Sequence, residues 1–179
     1  MNQTTKEILF LDPVCTHNIW GGTRLRTEFG YPVEGDDIGE CWGISAHPNG
    51  DGSIRNGVYA GMKLSKVWEE HPEVFGNLAY DRFPLLTKII DAKADLSIQV
   101  HPDDAYAKEH ENGSFGKTEC WYIMDAPENA TLVIGHNAKT KEELASMIHE
   151  GRWSEFIREI PVKKGDFIQI DPGTVHAIK

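Results

Sequence analysis

Short apolar runs bounded by Gly, Pro and Asp recur along most of the chain and indicate many short strands. They dominate both ends of the sequence, and no regular alternation of strand and helix links them. We therefore expect a mainly β fold, largely antiparallel, with helical insertions. The predicted strands are Glu7–Leu11, Cys41–Ala46, Leu85–Asp91, Leu96–Val100, Glu119–Asp125, Thr131–Ile134 and Asp166–Ile170.

Helical patterns interrupt the strands in three places. The clearest helix starts at Thr140, which has the spacing of a capping box with Glu143, and "RWSEFIREI" indicates a second short helix after it. Asp103 and Asp104 start another helix, whose N-terminus favours negative charge. We expect a single domain over residues 1–179, with helical insertions at about 62–80, 103–111 and 140–159.

The stretch "LSIQVHPDD" joins an apolar pattern to polar side chains. Strand side chains alternate between faces, so Ser97, Gln99 and His101 share one face of the predicted strand. The apolar residues between them take the opposite face, and Pro102 ends the strand. A face that carries a hydroxyl, an amide and an imidazole is either solvent-exposed surface or the lining of a functional site.

Charge and cysteine usage narrow the classes of function. A net charge of −10 without a cluster of Lys and Arg argues against nucleic acid or an acidic membrane surface as the main partner. No apolar run is long enough to span a bilayer. The cysteines Cys15, Cys41 and Cys120 are widely spaced and odd in number, which indicates neither a CxxC site nor a disulfide framework. We therefore expect the protein to be located in the reducing cytoplasm.

Four polar residues on separate strand-like pieces are candidate metal ligands. Gln99 and His101 close one piece, Glu119 opens "ECWYIMD", and His176 follows the Pro-Gly turn of "DPGTVHAIK". Imidazole and carboxylate donors suit zinc, and other divalent metals less decisively. The residues alone leave a second reading open, in which the histidines are ordinary surface or core positions.

Two segments of the sequence resemble the cupin motifs. "GDFIQIDPGTVHAI" resembles the second motif, because Gly165, Gly173 and His176 keep its spacing, although Pro172 lies one place late. "QVHPDD" together with Glu119 resembles the first motif, with a helical insertion between its two halves. The resemblance implies a cupin, which is a jelly-roll β-barrel with a metal site.

A longer series of motifs resembles one family more specifically. "IWGG", "GECWGISAHPNGDGSIRNG", "PLLTKIIDAKADLSIQVHPDDAYA", "GKTECWYIMDA" and "GTVHAI", in this order, resemble the type I mannose-6-phosphate isomerases in their short bacterial form. The resemblance implies a zinc-dependent isomerase that interconverts mannose 6-phosphate and fructose 6-phosphate through an enediol. It further implies a hexose 6-phosphate substrate and one zinc per chain, held by Gln99, His101, Glu119 and His176.

The resemblance also has a limit. Members of that family continue well past the "GTVHAI" word, with further strands and a catalytic Arg, whereas this sequence ends at Lys179. We therefore expect a cupin fold that is incomplete at its C-terminus, and the activity of the 179-residue chain alone stays open.

Two lysines match family positions that face the site. Lys117 lies two residues before Glu119, so both side chains share one face of an extended strand, and we expect Lys117 to serve catalysis and substrate binding. Lys88 lies in the apolar run "LLTKII", where a catalytic role and snorkelling from a strand edge are equally open.

Three further residues are candidates for substrate binding. Ser97 shares the face of Gln99, and Glu40 and Trp42 lie in the family-like word "GECWG". The alternatives are an ordinary strand serine and a tryptophan that packs in the core.

Three classes of function remain open from the sequence. The first is the zinc-dependent sugar-phosphate isomerase, and the second is another cupin metalloenzyme, such as an iron-dependent oxygenase. The third is a non-catalytic or truncated cupin domain that binds sugar phosphates. The oligomeric state cannot be read from the sequence.

Overall fold

Short strands carry most of the regular structure, as the apolar runs predict. The computed structural model describes residues 7–179, and the chain forms two compact units whose boundary lies between Lys93 and Ala94. Every paired strand in either unit is antiparallel to its neighbour within the described residues. The predicted mainly β class is therefore confirmed. Along residues 7–179, no helix is both long and apolar enough to cross a bilayer.

The sheet of the first unit is built around one long strand, β3. This strand pairs with β2 on one side, with β6 on the other, and with β4 through a hairpin. The strands of this unit are β1 (Leu11–Asp12), β2 (Val14–Gly22), β3 (Ile38–His47), β4 (Gly50–Asp51), β5 (Ser53–Ile54) and β6 (Leu86–Ile90). Its helices are α1 (Arg24–Thr27) and α2 (Leu64–Glu70), followed by a 3-10 turn at Pro72–Phe75.

Two apolar clusters stabilise this unit by removing side chains from water. Cys41 of β3 packs with Leu25 and Ile38, and Cys15 lies directly opposite Cys41 on β2. Helix α2 buries its apolar face in the second cluster, which consists of Ile54, Leu64 and Val67.

The second unit contains two small sheets. In the first sheet β8 (Thr131–His136) lies between β9 (Ile157–Pro161) and β11 (His176–Ile178), and in the second β7 (Glu119–Tyr122) pairs with β10 (Phe167–Ile170). Side chains of both sheets meet in one core cluster, built on Leu132, Ile134 and Ile170. The helices of this unit are α3 (Asp104–His110), α4 (Lys141–His149) and α5 (Trp153–Phe156).

The helix starts follow the sequence signals. Asp103 caps α3 by accepting a hydrogen bond from the Tyr106 amide at 2.8 Å. Thr140 caps α4 by accepting one from the Glu143 amide at 3.1 Å. The return bond of the box is displaced by one residue, because the Glu143 carboxylate accepts from the Lys139 amide at 2.6 Å.

The prediction of a strand over Leu96–Val100 is wrong. This segment has no ladder, and its one bridge joins Gln99 to His176. The apolar face expected to be buried is open instead, with Ile98 at 40% and Val100 at 58% exposure. The physical reason is that the segment bonds to β11 only intermittently. The Leu96 amide donates to the Ile178 carbonyl, and Gln99 and His176 each donate an amide to the other's carbonyl.

Other boundaries also differ from the expected ones, and two of the differences have a clear cause. "RWSEFIREI" is helical only to Phe156, and its second half is β9, because Ile160 pairs with Leu132 of the neighbouring strand. At Glu7–Leu11 only Leu11 lies in a strand, because the side chain of Asn56 takes the backbone bonds of Ile8 and Phe10 that a strand partner would take.

The environments of the cysteines predict their reactivity. Burial, followed by the hydrogen bond with Cys41, raises the pKa of the Cys15 thiol to about 12, whereas Cys120 is exposed on β7. Because the thiolate is the nucleophile, a disulfide reagent at mildly alkaline pH should modify Cys120 alone in the native chain. Cys120→Ser should abolish the rapid modification. A thiol that still reacts rapidly in the Cys120→Ser chain would contradict the burial of Cys15 and Cys41.

Candidate metal centre

Three donor side chains of the second unit converge on one point. His101 follows the bridged segment, Glu119 opens β7, and His176 opens β11. Each residue offers one ligand atom, and these three atoms lie within 4.8 Å of one another. In residues 7–179 this is the one group of three or more His, Cys, Asp or Glu donors with that geometry.

The backbone around the donors explains why they meet. The Gln99 amide donates to the His176 carbonyl and the His176 amide donates to the Gln99 carbonyl, both at 2.9 Å. These two residues therefore lie directly opposite each other. The Gly173 amide donates to the His101 carbonyl at 2.8 Å, which ties the Pro-Gly turn to the same segment. The position of Glu119 is set by β10, because Glu119 pairs with Ile170 of that strand.

The hydrogen bonds of His176 define which ring nitrogen faces the centre. Its Nδ1 lies 2.8 Å from the carbonyl of Thr174, which can only accept, so Nδ1 carries the hydrogen. In the neutral ring the Nε2 atom then presents a lone pair, and it lies 3.0 Å from Oε2 of Glu119. The side chain is only 3% exposed and meets the edge of Trp121.

His101 presents a lone pair to the same carboxylate oxygen. Its Nε2 lies 3.1 Å from Nζ of Lys117, which can only donate, and 3.3 Å from Oε2 of Glu119. Burial, followed by the charge of Lys117, lowers the pKa of His101 below its ordinary value. The ring therefore stays neutral at neutral pH, which is the form that binds metals.

Lys117 completes the group as a donor. Its ammonium lies 2.9 Å from Oε1 of Glu119, on the oxygen that does not face the imidazoles. Burial alone raises the pKa of Glu119, but the hydrogen bond and charge of Lys117, with smaller contributions from the two histidines, outweigh it and hold that pKa below its ordinary value. Glu119 is therefore a carboxylate at neutral pH.

These residues fit a divalent metal ion. When both imidazoles are neutral, their lone pairs face one carboxylate oxygen at distances where acceptors repel, and a cation bound between them would relieve this repulsion. Ligand atoms at zinc-ligand distances of 2.0–2.1 Å lie about 3.3 Å apart in a tetrahedron, close to the separations found here. Two histidines and one glutamate also form a known set for catalytic zinc.

Gln99 and Ser97 lie beside the centre. Directly opposite residues of an antiparallel bridge share a face, so the Gln99 side chain emerges on the same side as His176. Its amide nitrogen lies 3.4 Å from the Ser97 hydroxyl, and both side chains are exposed. A role for Gln99 as fourth ligand and for Ser97 in substrate binding stays a prediction.

The other predicted residues form a separate group in the first unit. Lys88 donates to both oxygens of Glu40 at 3.0 and 3.1 Å, and the Trp42 indole donates to the same carboxylate at 2.7 Å. The Lys88 ammonium also lies 4.6 Å from the centre of the Trp42 ring, within cation–π range. Lys88 is therefore paired and does not snorkel to solvent, and Trp42 belongs to a half-buried polar cluster.

Two of these contacts had no signal that sequence reasoning used. The pairing of Lys88 with Glu40 depends on strand register, in which Lys88 lies opposite Trp42 and Glu40 two residues away on the same face. The orientation of His176 depends on the backbone carbonyl of Thr174, which every residue type carries.

Comparison with known proteins decides the family. The model for the catalytic domain of type I phosphomannose isomerases matches residues 8–130 of the chain. The chain belongs to the type I phosphomannose isomerase family.

Individual members of this phosphomannose isomerase family agree over nearly the whole chain. A mannose-6-phosphate isomerase of Bacillus subtilis is 55% identical over 97% of the chain and 55% of its own length, and one of Streptococcus mutans is 55% identical over 96% and 54%. The crystal structure of a mannose 6-phosphate isomerase from Bacillus subtilis matches with a TM-score of 0.93 at 54% identity, over 95% of this chain and 54% of the other. The cupin class predicted above is confirmed, and the chain spans about half the length of these relatives.

The metal centre can be tested with a matched pair of histidine variants. His101→Ala removes one of three donors and should weaken zinc binding by at least about 100-fold, measured by competition with a chromogenic chelator. His110→Ala removes an exposed histidine of α3 that contacts Tyr106 and Glu109. It should leave zinc affinity unchanged. Equal zinc affinity in the two variants would contradict the assignment.

Proposed function

We propose that this chain carries the zinc-binding part of a mannose-6-phosphate isomerase, which interconverts mannose 6-phosphate and fructose 6-phosphate. The observation that carries the proposal is the convergence of two imidazole lone pairs and one carboxylate beside a lysine, in a chain of this family. Zinc and the hexose phosphate substrate are part of the proposal, as are a cytoplasmic location and the action of residues 1–179 as one catalytic domain.

The reaction moves a proton between C1 and C2 of the open-chain sugar through an enediol. Zinc, when bound, would polarise the sugar oxygens and stabilise the negative charge that develops on them. His101, Glu119 and His176 would hold the ion, with Gln99 as the proposed fourth ligand. A catalytic zinc site also keeps a position open for water or substrate.

Lys117 supplies a charged donor beside the ligands. Its Nζ lies 2.9 Å from Oε1 of Glu119, where a hydrogen bond to a developing sugar oxyanion would stabilise the transition state. Lys88 and the cluster it forms with Glu40 and Trp42 are proposed to serve substrate binding or catalysis, and Ser97 is proposed to bind a sugar or phosphate oxygen. Each of these roles is a prediction.

Isomerase activity of the zinc-loaded chain is the direct test. Conversion of mannose 6-phosphate, followed by NMR, should be detectable and should fall roughly 100-fold in Glu119→Gln, which keeps the side-chain volume but removes the charge. Binding of mannose 6-phosphate without any turnover would favour the non-catalytic sugar-phosphate domain instead. Zinc binding with no affinity for the sugar phosphate would contradict the proposal.

The role of Lys117 can be separated from that of the ligands. Lys117→Met keeps the aliphatic stem and removes the ammonium, so turnover should fall roughly 100-fold while the chain still binds one zinc per molecule. The measurements are kcat and the zinc content after gel filtration. Unchanged turnover would contradict a role of Lys117 in catalysis. Loss of the fold in circular dichroism would show that Lys117 serves the structure and not the sugar.

A further inference from the structure

The connection between α3 and β7 folds back against the start of α3. The Gly116 amide donates to Oδ1 of Asp104 at 2.8 Å, and the Lys117 amide donates to the carbonyl of Pro102 at 3.0 Å. These bonds fasten the segment that carries Lys117 and Glu119 to the segment that carries His101.

Space at Gly116 is as restrictive as these bonds. A Cβ atom at this position would overlap the backbone atoms of Asp103 and Asp104, which cannot rotate away as a side chain can. The close approach of the two segments therefore requires glycine, and the Asp104 carboxylate is placed to hold it there.

We propose that Asp104 is a positioning residue that sets the spacing between His101 and Glu119 in the metal centre. The inference rests on the proposed metal-binding function. Asp104 acts through its hydrogen bond with Gly116, and the Pro102–Lys117 bond completes a two-point clamp. At most two residues lie between a residue of the clamp and the donor on its own segment, so a shift of Gly116 moves Lys117 and Glu119 with it.

The neighbouring Asp103 provides a matched control. It lies next to Asp104, carries the same charge at the same helix end, and accepts from the Tyr106 amide as the cap of α3. Its side chain bonds within its own helix, whereas the Asp104 side chain reaches across to the Gly116 amide. A general effect of negative charge or of helix stability would therefore act through Asp103 as well, whereas the side-chain bond of the clamp is made by Asp104.

The test compares the position of the carboxylate oxygen with its charge. Asp104→Asn keeps an oxygen acceptor at the same place and removes the charge, whereas Asp104→Glu keeps the charge and moves the oxygen by one methylene. Asp104→Ala removes the acceptor, and Asp103→Ala removes the neighbouring cap. For each variant of the full chain we would measure zinc affinity, the visible spectrum of bound Co²⁺, and hydrogen exchange of the Gly116 amide.

We expect the variants to rank in zinc affinity in an order that loss of charge alone would not produce. Asp104→Ala and Asp104→Glu should weaken zinc binding roughly tenfold, change the Co²⁺ spectrum and speed exchange at Gly116. Asp104→Asn should stay within about twofold of the parent chain in zinc affinity, and so should Asp103→Ala, although the latter should speed exchange at Tyr106. If the alanine variant at 104 does not fold, the comparison of Asn with Glu decides the question.

Three results would overturn the clamp. One is parental zinc affinity and Gly116 exchange in Asp104→Ala or Asp104→Glu, and another is a loss in Asp104→Asn as large as that in Asp104→Glu. The third is an equal loss of zinc affinity in Asp103→Ala and Asp104→Ala. If the parent chain itself binds no zinc, the proposed function fails, and the Gly116 exchange rates still report whether Asp104 holds the segment.

Discussion

Repulsion between lone pairs is the constraint on which the metal centre depends. Oε2 of Glu119 faces the Nε2 atoms of His176 and His101 at 3.0 and 3.3 Å, and neither nitrogen carries a hydrogen when its ring is neutral. Lys117 relieves part of the strain by donating to the other carboxylate oxygen and to His101. A divalent cation would turn the remaining repulsion into attraction, which is why we interpret the arrangement as a metal centre.

Small secondary-structure elements suffice to build this centre because each donor lies at the end of an element. Glu119 is the first residue of β7 and His176 the first of β11, while His101 directly precedes the Pro102 that leads into α3. For Glu119 and His176 a ladder fixes one side of the residue, and the other side remains free to face a ligand. The single bridge between Gln99 and His176 then sets the distance across the centre.

The sequence predicted the donors better than the local structure that carries them. His101, Glu119 and His176 could be named because they occupy family words, and the helix caps at Asp103 and Thr140 follow local rules. The strand over Leu96–Val100 failed because alternation reports which side chains could share a face, and says nothing about whether a partner strand is present.

Interactions between distant segments were beyond sequence reasoning for the same reason. The pairing of Asp104 with Gly116 joins a helix start to a loop, and an acidic pair at such a start is fully explained by the helix dipole until the loop is seen. The ion pair of Lys88 with Glu40 requires the register of β3 against β6, which two apolar runs do not specify. Both contacts became visible only in three dimensions.

The central claim is that two imidazoles and one carboxylate of this chain bind one zinc ion. X-ray absorption spectroscopy of the zinc-loaded chain tests it most directly, because the method reports the ligand atoms and their distances. The account predicts only nitrogen and oxygen ligands at about 2.0–2.2 Å, with the multiple-scattering signature of two imidazoles. Sulfur scattering at about 2.3 Å, or a spectrum with no more than one imidazole, would contradict it.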